Sequence, residues 1–310
     1  MRSGHTENRP LCSQTLSPSL EVIMKKNRFI IPIISGAATA AAAVAFTVKG
    51  RRFQPGLEAL DGWLYAHRGF HREPDAPENS LAAFRLAVSH GYGAELDVHL
   101  LSDGNLAVIH DSHLKRMTGK NGVVESLTEA QLPSFTLGNS SECIPTLRQI
   151  LSAVDGRVPL IIELKPWKGN DARLCRRVFK ELDHYQGAYC VESFQPQVLW
   201  WLRRHRPNVI RGQLASNYFK EHKGLGPART VFGTFMTSNF LTRPDFVAYR
   251  FSDRKHPANQ FCMKAWKMRG AAWTIHNAGE LEQARREGYW PIFENFDPEN
   301  GKRFEGAMDT

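Results

Sequence analysis

The stretch that decides the fold is Glu95–Asp111, ELDVHLLSDGNLAVIHD, in which two β-rich runs flank a short polar turn. The first run, Ala94–Leu100, is apolar except for acids and a histidine at alternate positions. Side chains alternate between the two faces of a strand, so Glu95 and Asp97 are expected on the same face. The run therefore predicts a buried strand that presents two carboxylates to one side.

Outward from this stretch, short β-rich runs alternate with amphipathic segments, the pattern of parallel strands covered by helices. The predicted strands are Leu64–Gly69, Ala94–Leu100, Leu106–Asp111, Val158–Lys165, Ala188–Phe194, Val209–Ala215, Phe246–Phe251 and Ala271–Ile275, with Pro291–Glu294 as a candidate ninth. The predicted helices are Ser80–His90, Leu147–Val154, Ala172–Leu182, Gln197–Arg206, Asn259–Met268 and Gly279–Glu287. Eight strands with six helices in residues 64–310 predict an α/β fold, a (β/α)8 TIM barrel.

One connection does not fit a regular barrel. Only Leu101–Asn105 separates the second run from the third, which is too short for a helical crossover. It has the length of a hairpin loop, with Asp103 and Gly104 as its turn. Either the barrel lacks a helix here, or one of the two runs is not a barrel strand.

Charged and polar side chains also close the neighbouring runs. The first run ends in His67-Arg68-Gly69, the third ends in His110-Asp111, and the fourth carries Glu163 and Lys165. In a parallel barrel, functional residues lie where the carboxyl ends of the strands meet. We therefore expect these groups to gather with the two acids of the second run in one mouth.

The acids of this set predict a metal. Glu95, Asp97 and Glu163 would repel one another and resist desolvation unless a cation lay between them. Oxygen-only ligands favour a hard divalent ion, Ca²⁺ or Mg²⁺, over zinc, which prefers histidine nitrogen or cysteine sulfur. We expect one such ion at the mouth.

The remaining members suit acid–base chemistry on a phosphate. His67 and His110 titrate in the range that a general base and a general acid require. Arg68 and Lys165 offer the positive charge that a phosphate diester and its transition state require. Each residue alone has a structural reading, such as a packed histidine or a surface ion pair. Their coincidence at four consecutive strand ends favours function.

Other polar features carry no predicted site. The histidines outside the strand ends, expected to be solvated, are His71, His113, His184, His205 and His256. The basic run 203–206 closes a predicted helix, where cations stabilise the helix dipole. Five cysteines at wide, irregular spacings predict buried thiols rather than a disulfide framework or a zinc site.

The net charge of +9 raises the question of a nucleic-acid partner. Residues 1–52 hold 8 basic and 2 acidic residues, whereas the remaining 258 residues hold 32 basic and 29 acidic, a net of +3. The basicity thus belongs mainly to the N-terminal segment. We predict neither a groove for polyanions nor a nucleic-acid partner.

The N-terminal segment contains a candidate membrane span. Residues 29–48, FIIPIISGAATAAAAVAFTV, form a charge-free run of the length that crosses a bilayer as a helix. A cleaved signal peptide and a buried soluble helix are the alternatives. Three basic residues flank each end, so the positive-inside rule nearly ties. We expect the barrel on the extracytoplasmic side. The predicted order is a disordered tail at 1–28, a transmembrane or signal-anchor segment at 29–48, a linker at 49–63 and the barrel domain at 64–310.

The chain resembles the glycerophosphodiester phosphodiesterase family, in its membrane-anchored bacterial form, in seven stretches that follow the family's order. They are AHRG at 66–69, PENS at 77–80, ELDVHLLSDGNLAVIHD at 95–111, IPTL at 144–147, IIELK at 161–165, ESF at 192–194 and AWTIHN at 272–277. Any one of these would be weak, whereas the combination is very specific. The resemblance covers roughly residues 64 to 277.

The resemblance implies a role for each matching residue. By this resemblance, the metal ligands would be Glu95, Asp97 and Glu163, and the acid–base pair would be His67 and His110. Arg68 and Lys165 would contact the phosphate. Glu78 would close the site, and Phe194 and Trp273 would form walls of the pocket. The implied reaction is metal-dependent hydrolysis of a glycerophosphodiester to sn-glycerol 3-phosphate and an alcohol, in phospholipid and glycerol metabolism. The implied cofactor is one Ca²⁺ or Mg²⁺ ion.

Departures and alternatives remain. The family's usual acidic ending after the last strand is replaced by Phe293-Glu294-Asn295-Phe296, which affects the alcohol side rather than the chemistry. A membrane anchor adds lysophospholipids to the soluble diesters as candidate substrates. A lyase similar to phosphatidylinositol phospholipase C and a non-catalytic binding module are the competing readings. Oligomeric state is left open.

Overall fold

The structure, a computed structural model, describes Met1 and residues 46–51, 54–221, 224 and 226–298. The chain divides into two compact units, Met1–Ala45 and Phe46–Thr310. The predicted tail, apart from Met1, and the predicted span up to residue 45 lie outside the described residues. Within the part of the chain that is described, no helix is both long enough and apolar enough to cross a membrane.

Nine strands and ten α-helices of the described residues follow one another along the second unit. The strands are β1 (Tyr65–Ala66), β2 (Gly93–Leu100), β3 (Leu106–Val108), β4 (Leu160–Leu164), β5 (Tyr189–Ser193), β6 (Arg211–Ala215), β7 (Phe246–Arg250), β8 (Arg269–Ile275) and β9 (Tyr289–Phe293). The helices are α1 (Leu81–Ser89), α2 (Lys115–Thr118), α3 (Leu147–Val154), α4 (Asp171–Leu182), α5 (Pro196–His205), α6 (Tyr218–Glu221), α7 (Pro227–Phe235), α8 (Asn239–Thr242), α9 (Pro257–Lys264) and α10 (Ala278–Arg286). Short 3-10 helices lie at Leu57–Ala59, Val124–Ser126, Glu129–Ser134 and Phe251–Asp253.

Eight of the strands close a parallel barrel, which confirms the predicted TIM barrel. Strand β1 pairs in parallel with both β2 and β9, and the remaining neighbours run in the order β2, β4, β5, β6, β7, β8, β9. Strand β3 pairs antiparallel with β2 alone. The third predicted run is therefore not a barrel strand, and the candidate ninth run closes the barrel instead. A loop of hairpin length allows only the antiparallel pairing.

Residues 101–146, between β2 and the crossover helix α3, form an excursion. This excursion contains β3, α2 and two of the 3-10 helices. It has a small core of its own, formed by Leu101, Ala107, Ile109, Leu114, Met117, Val124, Leu127, Leu132, Leu137 and Ile144. The irregularity predicted around the second and third strands is thereby confirmed.

The barrel strands divide their side chains between two layers, as period-two alternation requires. On β2 the outward residues Ala94, Leu96 and Val98 join the core beneath the helices. The acids between them therefore face the barrel interior. In the β2–β4 ladder Asp97 pairs with Glu163, which brings the acids of the two strands side by side.

Local capping fixes where the first covering helices begin. The Ser80 side chain accepts a hydrogen bond from the Ala83 amide at the start of α1. Thr146 and Gln149 form a reciprocal capping box at the start of α3. Helices α6, α7 and α8, all in the β6–β7 connection, were not predicted. Helix α7, PARTVFGTF, has apolar residues at 228, 231, 232 and 235, the spacing of an amphipathic helix, but it buries only Thr234.

The segment before β1 packs against the barrel. Val48 and Leu60 are buried. The Arg51 guanidinium donates to both carboxylate oxygens of Asp245 at 2.6 Å. The predicted linker thus contributes to the folded unit wherever the structure describes it.

Candidate active site

A cavity of about 720 Å³ opens at the carboxyl ends of the barrel strands. Its lining contains eight of the ten predicted site residues, namely His67, Arg68, Glu78, Glu95, His110, Glu163, Phe194 and Trp273. The other two, Asp97 and Lys165, do not line the cavity, but they contact residues that do. The strand-end argument therefore brought together side chains that are up to 206 positions apart in the chain.

The three predicted metal ligands form a compact buried cluster. One oxygen from each of Glu95, Asp97 and Glu163 lies within 4.8 Å of the others. Burial raises the pKa of Glu163 to about 7, and burial with the charge of Asp97 raises the pKa of Glu95 well above its usual value. Crowded carboxylates that resist ionisation require a positive partner. An all-oxygen set of this kind fits a hard divalent cation.

Lys165 supplies part of that positive charge. Its ammonium nitrogen lies 3.0 Å from an oxygen of Asp97 and 3.0 Å from an oxygen of Glu163. Burial alone would lower the pKa of Lys165, but the two carboxylates raise it above its usual value. Burial would likewise raise the pKa of Asp97, but Lys165 holds it well below its usual value. A phosphate contact for Lys165 stays a prediction, since the structure pairs it with the acids.

His67, which follows β1, is oriented by the carboxylate of Glu294, which follows the neighbouring strand β9. Its Nδ1 lies 2.6 Å from Glu294, and its Nε2 is 3.9 Å from Glu95. Burial lowers the pKa of His67, so the ring is neutral near pH 7. A carboxylate only accepts hydrogen bonds, so the Nδ1 atom carries the proton and Nε2 presents a lone pair.

His110 repeats this arrangement on the excursion. Its Nδ1 lies 2.6 Å from Asp111, which in turn accepts a short hydrogen bond from Arg116. Burial lowers the pKa of His110 to about 4, despite the nearby charge of Asp97. Two neutral histidines, each held by its own carboxylate, therefore border the same cavity.

The His67-Arg68-Gly69 turn places positive charge beside the acids. Arg68 has a φ of 54°, and its backbone amide donates to Glu95 at 3.0 Å while its guanidinium donates to Glu78 at 2.9 Å. A non-glycine residue in the left-handed region is uncommon and is held there by its surroundings. Gly69, with a φ of 79°, lies so near Ala83 that a β-carbon would come within 2.9 Å of it. The close approach of α1 to this turn thus requires glycine.

Two aromatic side chains form the apolar wall of the cavity. The rings of Phe194 and Trp273 meet edge to face with centroids 5.7 Å apart. Tyr218, at the start of α6, approaches Phe194 with a centroid distance of 6.4 Å. This apolar wall suits the carbon skeleton of a substrate.

Several site residues escaped the sequence argument. They are Glu294, which orients His67; Glu192, a buried cavity acid; Asn79, which donates to Asp97 at 2.9 Å; and Arg116, which binds Asp111 and Glu78. Glu294 and Glu192 each stand at the end of a strand, the signal that identified the others. Asn79 lies in a loop and Arg116 in the four-residue helix α2, and no spacing rule points to them.

Two of the histidines expected to be solvated are not. His71 lines the cavity, and its Nε2 lies 4.0 Å from Glu294. His256 stacks on the buried Tyr249 and accepts from the amide of Ala258 at the start of α9. Both lie in loops, as predicted, but each loop folds back onto the barrel.

Comparison with known proteins identifies the family of this chain. A family model described as "Glycerophosphoryl diester phosphodiesterase family" matches residues 67–294. Glycerophosphodiester phosphodiesterase 1 of Homo sapiens is 30% identical over 251 residues, which cover 69% of this chain and 72% of that protein. A glycerophosphodiester phosphodiesterase of Bacillus altitudinis is 36% identical over 208 residues, covering 58% and 84%.

Among solved structures, an Oleispira antarctica phosphodiesterase in complex with the product sn-glycerol-3-phosphate superposes with a TM-score of 0.64 at 22% identity. The match covers 76% of this chain and 94% of that one. A putative glycerophosphoryl diester phosphodiesterase from Silicibacter pomeroyi gives a TM-score of 0.65 at 19% identity, covering 77% and 93%. At these identities the likeness shows the shared barrel fold.

Proposed function

The chain belongs to the glycerophosphoryl diester phosphodiesterase family, and from that premise we propose that it hydrolyses glycerophosphodiesters to sn-glycerol 3-phosphate and an alcohol. It is an enzyme of the phosphoric diester hydrolase class. The observation that carries the proposal is one cavity bordered by a buried acid triad and by two histidines, each oriented by a carboxylate. Free glycerophosphodiesters are the first substrates to test, because the related Oleispira antarctica enzyme holds sn-glycerol-3-phosphate as its product.

We further propose that Glu95, Asp97 and Glu163 hold one divalent cation. The donor set is all oxygen, which favours Ca²⁺ or Mg²⁺. A divalent ion in such a site polarises a phosphoryl oxygen and lowers the pKa of bound water. The raised pKa values of Glu95 and Glu163 describe acids that gain stability from such an ion.

The chain's own residues handle the protons and the orientation. His67 presents the lone pair of Nε2, since Glu294 accepts its Nδ1 proton, and so it can receive a proton from an attacking water. His110 presents its Nε2 in the same way; once this atom has taken up a proton from solvent, it can pass that proton to the leaving alkoxide, and the proton received by His67 then returns to solvent. Arg68, held by Glu78 at the cavity edge, adds positive charge beside a bound phosphate. Phe194 and Trp273 position the glycerol or alcohol moiety.

The test is release of sn-glycerol 3-phosphate from glycerophosphocholine, glycerophosphoethanolamine and glycerophosphoglycerol by the full chain. We expect EDTA to abolish release, Ca²⁺ or Mg²⁺ to restore it, and Glu95→Ala to prevent that restoration. His67→Ala should lower kcat by about 100- to 10,000-fold. His113→Ala, a change at an exposed histidine outside the cavity, serves as the matched control and should leave the rate unchanged.

Product analysis separates the competing functions. A cyclic glycerol phosphate would assign the chain to lyase chemistry of the phosphatidylinositol phospholipase C type. Absence of hydrolysis of every diester with every divalent ion would favour a binding scaffold. Neither outcome is expected, because both histidines and all three acids are in place at the cavity.

We also propose that residues 29–48 attach the chain to a membrane, with the barrel on the extracytoplasmic side. The support is the uncharged apolar run in the sequence. Membrane attachment adds lysophospholipids to the candidate substrates. Fractionation of cells into membrane and soluble extracts, followed by protease protection of the intact cells, tests both the attachment and the side.

A further inference from the structure

The exposed apolar side chains of the barrel unit lie together on one side. In the described part of this unit, every exposed large hydrophobic side chain belongs to helices α5–α9 or to the segment that precedes the barrel. The aromatic members are Phe46, Trp200, Phe219, Phe232, Phe240 and Phe261. Phe232 is 59% exposed and Phe46 is 52% exposed. Isolated exposed apolar side chains need no explanation, whereas a grouped set marks a contact surface.

The same part of the chain is strongly basic. Residues 196–267 contain 13 basic and 3 acidic residues, a net charge of +10. The rest of the chain from residue 53 onward contains 19 basic and 26 acidic residues, a net charge of −7. Two of the three acids in 196–267, Asp245 and Asp253, are buried. The net of +3 over 258 residues therefore conceals two regions of opposite sign.

These helices form one continuous surface around the first described residues of the unit. Val48 packs with Met236 and Cys262, at the end of α7 and within α9, and its carbonyl accepts from Asn239 of α8. The Arg243 guanidinium lies 5.5 Å from the Phe46 ring centroid. We call the exposed surface of the described residues in 196–267, together with that of residues 46–49, the basic face.

Helix α5 extends this surface. Arg203 of α5 donates to the carbonyl of Phe240 in α8 at 3.4 Å. On the same helix the Arg204 guanidinium lies 4.9 Å from the ring centroid of the exposed Trp200. Cations on aromatic rings recur across the basic face, as Lys49 over Trp266 also shows. Guanidinium and ammonium groups beside exposed aromatic rings are the combination found at the polar boundary of a bilayer.

We propose that the basic face rests on a lipid bilayer rich in anionic headgroups. Lysine and arginine near such a surface attract it, and exposed aromatic side chains enter the boundary between headgroups and acyl chains. The charge-free run of residues 29–48 ends at Val48, which lies within this face. A nucleic acid would engage the cations but not the grouped apolar side chains, and a protein partner would not require the excess charge.

This surface also lies beside the cavity. Helix α6 carries the exposed Phe219, and its neighbour Tyr218 contacts Phe194 of the cavity wall. Docking through the basic face would thus hold the mouth close to the lipid surface. The inference does not depend on hydrolysis, because it concerns a surface outside the catalytic residues.

The test uses the full chain with vesicles of phosphatidylcholine alone or with phosphatidylglycerol. The measured quantity is the ratio of binding to the two kinds of vesicle, because residues 29–48 would bind both equally. We expect a ratio well above one that falls with salt. The triple variant Arg229→Glu/Lys264→Glu/Lys267→Glu should lower the ratio by about fivefold for each lost cation. The double variant Val231→Ser/Phe232→Ser should lower binding to both vesicles.

A matched control reverses three exposed cations elsewhere, Arg176→Glu/Lys180→Glu/Arg286→Glu, on α4 and α10, and should leave the ratio nearly unchanged. Backbone hydrogen exchange gives an independent readout. Anionic vesicles should slow exchange in residues 227–242 and 257–264 and leave α4 unaffected. Hydrolysis of soluble glycerophosphocholine without vesicles should be equal in all variants, so a failure of catalysis is distinguishable from a failure of docking.

Four results would overturn the proposal. A ratio of one for the unmodified chain would mean that the basic face does not bind anionic lipid in preference to neutral lipid. An equal loss in the α4 and α10 control would make the effect a matter of net charge alone. Exchange in residues 227–242 that is already slow without lipid and unchanged by it would mean that another part of the chain covers the face. A shift from dimer to monomer in the double variant would assign the face to a second copy of the chain.

Discussion

The cavity mouth and the basic face are neighbours on one barrel, but they are built on opposite principles. At the mouth, charged groups are buried and paired with one another at fixed distances, as the contact of Lys165 with Asp97 and Glu163 at 3.0 Å shows. On the basic face, apolar side chains such as Phe232 are exposed and most cations point into water. Burying the charged groups of the mouth costs free energy unless each group keeps its partner. Leaving apolar side chains exposed on the basic face costs free energy unless another surface covers them.

The largest expected difference between a buried and an exposed apolar side chain is in the free energy of unfolding after truncation. Leu96, fully buried on β2, is surrounded by the core beneath the helices. Leu96→Ala should lower the free energy of unfolding by about 2–5 kcal/mol, through lost burial and the cavity left behind. Phe232→Ser should change it by no more than about 0.5 kcal/mol. Urea denaturation of both variants measures the contrast, and an equal loss in the two would mean that α7 packs as tightly as the core.

Metal binding should depend on the acids of the cavity mouth and not on the basic face. A divalent ion at a concentration one hundred times its Kd should stabilise the folded chain by about 2.7 kcal/mol, because it binds only the assembled triad. Thermal unfolding with and without Ca²⁺ or Mg²⁺ should show a rise in Tm. The rise should vanish in Asp97→Asn and persist in the α7 variant Phe232→Ser. A rise that survives Asp97→Asn would place the ion elsewhere.

The smallest expected effect concerns the residue that orients His67. Glu294→Gln should lower kcat by about 10- to 100-fold, because an amide no longer fixes the tautomer that frees Nε2. KM should change little, since Glu294 does not supply positive charge to the phosphate. Glu282→Gln, on the exposed part of α10, is the control. A loss confined to KM would show instead that Glu294 contacts the substrate.

The mouth was largely predictable from sequence, because covalent geometry fixes it. Alternation along β2 and β4 requires Glu95, Asp97 and Glu163 to face the barrel interior, and the parallel ladder brings the two strands into register. Strand ends alone also pointed to His67 and His110. The partners of those histidines were harder to find. Glu294 follows the strand that closes the barrel, and Arg116 lies in α2, a helix of four residues that is too short to show a period.

The basic face was hidden for a different reason. Exposure is a property of the packed molecule, and an exposed Phe240 reads in the sequence like any core residue. Charge summed over residues 53–310 is nearly balanced, because the excess of acidic residues outside 196–267, a net charge of −7, offsets the net charge of +10 within that segment. Helices α6 and α8 in this region are four residues long, too short to show a period. Helix α7 has apolar residues at helical spacing, but the spacing alone does not reveal that Val231 and Phe232 stay exposed.

The excursion after β2 has a consequence for how this enzyme can change over evolutionary time. One histidine of the pair, His67, follows a strand of the closed barrel, whereas His110 follows β3, which the barrel does not need for closure. The excursion also keeps a separate small core. Substitutions there can remove or replace one histidine of the proposed acid–base pair while the barrel and its acid triad stay folded. The architecture thus lets a lineage give up catalysis, or acquire a new leaving-group chemistry, without rebuilding its scaffold.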